Sequence, residues 1–228
     1  MEYTIKVNPK SRRITLRIGK DGIPLVTVPP LVPKFFIKRF VEQQQAWINK
    51  ARQQKLSQQN QFFAENSISL FGKKYLLDKI NTLKASQVNL QNDRLIIAFH
   101  QNNIDAKIPI FNPIDPPAFF VRFLKNTAQH YLLKRTAELA KVMNTKYNDI
   151  HFRAQKTRWG SCSSQKNLNF NWRLVHFEPK IIDYVIIHEL AHLTHMNHSN
   201  KFWELVEKYD PEYRLNRGWL KRQGGQLE

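Results

Sequence analysis

The stretch Ile181-Ile182-Asp183-Tyr184-Val185-Ile186-Ile187-His188-Glu189-Leu190-Ala191-His192 joins an apolar run to two histidines four residues apart. Four-residue spacing on a helix puts both imidazoles on one face, about one turn from each other. That separation suits two ligands of a single zinc ion, and the glutamate between them can reach a water on the metal as general base. Pro179 opens the helix, and four of the eight histidines fall between residues 188 and 198. On these residues the chain reads as a zinc hydrolase.

A catalytic zinc wants a third protein ligand and an open position. His195, seven residues after His188, lies about 10.5 Å along a helix from it, too far for one ion without distorted side chains. His198 follows Asn197, an asparagine that can take the left-handed conformation ending a helix and turn the chain back. His198 is therefore the favoured third ligand, with His195 nearby or on the surface. Glu204 and Glu207 are fallbacks, better read as a solvated helix face. Arg173, Asn171 and Tyr213 are candidates for stabilising a developing oxyanion, each fitting a structural role better.

Upstream of the histidines, the chain is predicted to be α+β. The N-terminal half is β-rich with one helix, and a helical half with a small antiparallel sheet follows. Ile14, Leu16 and Ile18 alternate with polar residues as in a half-buried strand. Gly19-Lys20-Asp21-Gly22 turns into a strand at Leu25–Val28, and Pro33 opens a helix with Phe36, Phe40, Trp47 and Ile48 inward. Glutamine-rich residues 53–61 read as a fraying end or linker. Strands are expected at 68–71, 75–80, 88–91 and 94–99, with Asn92-Asp93 as a turn. Asp115 caps a long helix reaching Met143, its buried side marked by Phe120, Leu124, Ala128, Tyr131, Leu139 and Val142. Next come a strand at 150–154, a polar loop over 155–166, and a strand with Leu168, Phe170, Trp172 and Leu174 facing one way. Ser199 and Asp210 cap two short helices. The expected division is a β-rich region over 1–110 and a catalytic domain over 111–228.

Among 228 residues, 36 are lysine or arginine against 18 acidic, a formal charge of +18. That balance favours polyanionic partners, nucleic acid or nucleotides among them. The single cysteine, Cys162, excludes an internal disulfide framework. With no span-length apolar run and no secretion-type apolar block at the start, a cytoplasmic location is expected. Cys162 reads best as a small residue packing a tight loop.

His188-Glu189-Leu190-Ala191-His192, followed by Asn197-His198-Ser199 and Phe202-Trp203, resembles the YgjP-like zinc metallopeptidases, cousins of the SprT-like proteins. Lys156-Thr157-Arg158-Trp159-Gly160-Ser161-Cys162-Ser163 and Leu168-Asn169-Phe170-Asn171-Trp172-Arg173-Leu174 resemble a second signature of that family. The resemblance implies a zincin-like catalytic domain, zinc on His188, His192 and His198, Glu189 as catalytic acid/base, and a protein or peptide substrate. Nucleotide hydrolysis is also attributed to the family, so a phosphoanhydride hydrolase is the second reading. No phosphate-cradling G-x-x-x-x-G-K-[ST] loop supports it. A non-enzymatic nucleic-acid-binding zinc protein is the third, and an open ligand set weighs against it.

Overall fold

A computed structural model describes residues 2–19, 23–51, 63–64, 66–109, 116–155 and 158–222. The chain divides into two compact units, one of Met1–Ala64 with Phe111–Pro116 and one of Glu65–Ile110 with Pro117–Glu228. The Gly19–Gly22 turn beyond Gly19, the glutamine-rich stretch, the Asp115 cap and Lys156-Thr157 lie outside the described residues.

The first unit holds a three-stranded sheet of order β1-β3-β2, with β1 (Thr4–Val7), β2 (Thr15–Ile18) and β3 (Pro24–Val28). Leu16 and Ile18 are half-buried and Thr15 and Arg17 exposed, as their alternation predicts. Helix α1 (Lys34–Gln43) follows, then helical residues 45–51 (α2) and the two-residue strand β4 (Phe63–Ala64). The core of this unit joins Val26 and Val28 of the sheet to Ile37, Val41 and Ile48 of the helices. This corrects the predicted stripe: Phe36 and Trp47 are exposed and Phe40 only partly covered. Gln44 breaks the helix with φ −93° and ψ 12°, so no single helical register runs from Phe36 to Trp47. Branched aliphatics meet the valines of β3, and the rings turn outward.

In the second unit, β5 (Ser67–Leu70), β6 (Lys73–Thr82), β7 (Gln87–Gln91) and β8 (Arg94–His100) form a sheet in the order β5-β6-β8-β7. Asn92, at φ 50°, makes the expected turn between β7 and β8. The β5–β6 hairpin turns on Phe71 and Gly72, at φ 51° and 76°, a pair of left-handed residues matching a tight hairpin turn. A Cβ on Gly72 would stand 2.8 Å from Cγ of Glu178, so this tip docks closely at the residue capping the histidine helix. Phe71 stacks on Tyr131 at 4.4 Å, and its N–H donates to the Val175 carbonyl at 2.7 Å.

Helix α3 (Ala118–Val142) buries Phe120, Leu124, Ala128, Leu132, Thr136 and Leu139. Val142, expected inside, is 64% exposed, because the buried row passes through Met143 instead. A second small sheet has the order β10-β11-β9, with β9 (Ile150–Arg153), β10 (Gly160–Cys162) and β11 (Leu168–Asn171). It is mixed rather than wholly antiparallel, since β11 runs parallel to β9. β10 lies inside the stretch read as loop; Gly-Ser-Cys carries no apolar alternation and becomes a strand only by pairing with β11. The predicted long strand ends at Asn171, whose Oδ1 accepts the Arg173 N–H and starts a 3-10 turn, Trp172–His176. Trp172 and Leu174 are buried nonetheless. Helices α4 (Pro179–Ala191), α5 (Asn200–Tyr209) and α6 (Tyr213–Arg222) complete the unit. No helix among the described residues is long and apolar enough to cross a membrane.

Candidate metal centre

Helix α4 is the core of the second unit. Every residue from Tyr184 to His192 is buried, with α3, α5, α6 and β10 packed around it. Arg135 of α3 clamps its exposed margin through two 2.8 Å hydrogen bonds to Asp183. Five branched aliphatics of α4 are fully or nearly fully buried: Ile181, Ile182, Val185, Ile186 and Ile187. Each contributes about 1.5–3 kcal/mol by leaving water, which offsets the several kcal/mol needed to bury His188, Glu189 and His192 beside them.

The regular helix stops at Ala191, and His192 is its C-cap, still right-handed at φ −64° and ψ −21°. Tight turns follow, with Leu193 and Thr194 donating to the carbonyls three residues back. The predicted left-handed Asn197 is not found: it is not among the described residues with positive φ, and the turns after His192 reverse the chain earlier. Their result is the one expected. Nε2 of His188 stands 3.3 Å from Nε2 of His192 and 3.1 Å from Nε2 of His198. The ligand atoms of all three lie within 4.8 Å of one another. Two nitrogens bound tetrahedrally to one zinc, each at about 2.0–2.1 Å, would be roughly 3.3 Å apart, so the donor set fits such an ion.

The surroundings orient the rings. Nδ1 of His192 lies 3.1 Å from the His195 carbonyl. A donor at Nδ1 leaves Nε2 with its lone pair towards the cluster. His195 thus serves through its backbone, and its imidazole is not in the group. His198, the exposed member, stacks on Trp203 at 5.4 Å and 19°. Trp203 in turn stacks on Tyr213 at 5.3 Å and carries the Arg217 guanidinium 4.5 Å from its ring centre. Phe202, wholly buried, sits 4.6–4.9 Å from all three imidazoles.

Glu189 lies against the edge strand β10. A Cβ on Gly160 would come within 2.8 Å of both Cγ and Cδ of Glu189, so only glycine allows this approach. Cys162, two residues along the same strand, is held as a thiol: burial first, then the charge of Glu189, push its pKa up to about 11. Glu204 and Glu207 do not join the histidines, and Glu207 pairs with Arg214 at 2.8 Å. Asn171 is committed to structure, donating to the Gln155 and Arg158 carbonyls. Arg173 lies over Trp172, and burial lowers its pKa. The part played by Gly160 follows no spacing rule, since 29 positions separate it from Glu189; its place in the Trp159-Gly160-Ser161-Cys162 signature is the one signal that points to it.

Among solved structures, the chain resembles the metallopeptidase zymogen abylysin of Pyrococcus abyssi at 22% identity and a TM-score of 0.39, over 42% of this chain and 99% of that one. It also resembles the zymogen jannalysin of Methanocaldococcus jannaschii at 24% identity and a TM-score of 0.35, over 40% of this chain and 95% of that one. No curated protein matches it. A family model described as YgjP-like, metallopeptidase domain, matches residues 12–223. With nearly its whole length matched and a three-histidine group able to hold a metal, the chain belongs to the YgjP-like family of metallopeptidases, enzymes that hydrolyse peptide bonds.

Proposed function

We propose that the chain is a zinc-dependent peptidase in which His188, His192 and His198 hold the ion through Nε2 and Glu189 moves the proton. The convergence of three Nε2 atoms at zinc-ligand separations carries this reading. Zinc in that position would lower the pKa of a coordinated water and polarise the scissile carbonyl. The chain's own contribution is placement. Glu189, held against Gly160, accepts the proton of the attacking water and delivers it to the departing amine. Its burial keeps bulk water from competing for that proton. The His195 carbonyl, as acceptor, fixes the tautomer of His192, and Trp203 limits rotation of His198.

The substrate's path is suggested by β10. Among the described residues this strand is an edge of its sheet, pairing with β11 on one side only. The Asn171 N–H donates to the Trp159 carbonyl and the Ser163 N–H to the Asn167 carbonyl. By strand alternation Gly160 and Cys162 then turn their backbone groups to the free edge. An extended peptide can add there as a further strand, its scissile bond beside Glu189.

The test compares wild type with Glu189→Gln. Both should bind about one zinc per chain, while hydrolysis of an unstructured protein by the variant should fall by roughly 10²–10⁴-fold. Full activity in Glu189→Gln, or no zinc in either protein after equilibration, would refute the assignment.

A further inference from the structure

The outward face of α1 has no role in the site described above, and its composition is unusual. Ile37 and Val41 point into the core. At 100° per residue, Arg39 lies opposite them, with Phe35 four residues before it and Phe36 three residues before it as its surface neighbours. Phe35 is 63% and Phe36 55% exposed. Their rings meet edge to face at 5.2 Å. Lys34, Lys38 and Arg39 are exposed on the same helix, and no ion pair with an acidic group is found for them among the described residues. Glu42 is the one acidic residue of the helix. The charge is concentrated in this part of the chain: residues 1–64 carry twelve lysines and arginines against three acidic residues, half the positive excess of the whole sequence.

We propose that this face docks single-stranded nucleic acid, with Phe35 and Phe36 stacking on bases and Lys38 and Arg39 meeting phosphates. Exposed aromatic rings set among cations are what an unpaired strand offers partners for, because every base has a π-face and every nucleotide a charge. A duplex hides its base faces, so the rings would be wasted on it. An anionic bilayer asks for something else, a helix with its apolar residues gathered on one face and its charges on the other. In α1 the gathered apolar face is already spent on the core, and the outward face interleaves rings with charges. Leu31, fully exposed just before the helix, adds an apolar contact for a sugar or a base edge.

The test uses the full chain and a fluorescein-labelled oligothymidylate of about 20 nucleotides, read by anisotropy across a salt series. A duplex of the same length and vesicles of phosphatidylglycerol and phosphatidylcholine serve as alternatives. Wild type should bind the single strand most tightly. Phe35→Ala/Phe36→Ala should weaken that binding about tenfold or more at fixed salt with little change in salt slope. Lys38→Gln/Arg39→Gln should flatten the log–log slope by about 1.4, at roughly 0.7 for each phosphate left without its cation. Phe35→Leu/Phe36→Leu keeps apolar bulk without the π-face and should weaken binding as well, which guards against a folding defect in the alanine pair. Chelation should abolish proteolysis and leave oligonucleotide binding intact, so failure here is separable from failure of the zinc assignment. Absence of binding at low salt, equal affinity for the duplex, ring variants that bind like wild type, or ring-dependent binding to vesicles in place of the oligonucleotide would each overturn the proposal.

Discussion

Two of the three clustered imidazoles and the third are held in opposite ways. His188 and His192 project from the wholly buried stretch of residues 184–192, at 1% and 6% exposure, whereas His198 sits on an exposed turn. The first pair is fixed by the packing of the whole unit around α4. The third depends on a few local contacts, above all the ring of Trp203. A ligand set of this kind is rigid on one side and adjustable on the other. Substitutions on the helix should therefore disturb both metal binding and folding, and substitutions at the turn metal binding alone.

The sharpest break of that contrast is His188→Ala against His198→Ala. Both should lose nearly all zinc and activity. Only His188→Ala should also destabilise the metal-free protein, by about 1–3 kcal/mol for the cavity it leaves in the core. Urea unfolding of the two apo variants reads the difference; equal stabilities would show that the helix is no more committed than the turn. Gly160→Ala comes next. Its new methyl group must displace the Glu189 side chain or spread β10 from α4. Activity should fall about 100-fold, as a misplacement near 1 Å commonly costs, with zinc content unchanged.

Trp203→Ala sharpens the exposed side. Removing the ring should weaken zinc affinity roughly 10- to 100-fold, the usual scale for groups that orient a ligand, while Trp203→Phe restores most of it. Competition with a chromogenic chelator measures both. An unchanged affinity in Trp203→Ala would mean that the turn backbone alone holds His198.

The smallest effect concerns His176, a buried imidazole outside the cluster whose Nδ1 lies 2.9 Å from the Ser69 carbonyl. Burial, with Arg173 adding to it and the Ser69 bond opposing, pulls its pKa down to about 4. The native ring stays neutral where the unfolded one, with a pKa near 6.5, takes a proton. Its contribution to stability is whole above about pH 6.5 and drains away as pH falls towards 4, by at most about 3 kcal/mol. The stability margin of apo wild type over His176→Phe should shrink across that window. A margin independent of pH would mean the ring is not shielded.

How far these features can be read ahead of the structure differs from residue to residue. The helix from Pro179 and the pairing of His188 with His192 are local, written in spacing and in a run of branched aliphatics. His198 is legible as the third donor, though through a left-handed Asn197 that the chain does not use. The inward stripe of α1 departs from expectation because ring size suggests burial, while the valines of β3 select Ile37 and Val41. β10 and its Gly160 are hidden in a polar stretch, since pairing with β11 and contact with Glu189 are both made across long separations.

The order of residues alone determined the helix, the two imidazoles on one face and the chemistry their glutamate can perform, because each is set by interactions within a few residues. Only the tertiary structure decided which strand lies against Glu189, which ring backs His198 and which aromatics are left facing solvent. Those outcomes come from long-range packing, where shape complementarity between distant segments outweighs what any one segment prefers.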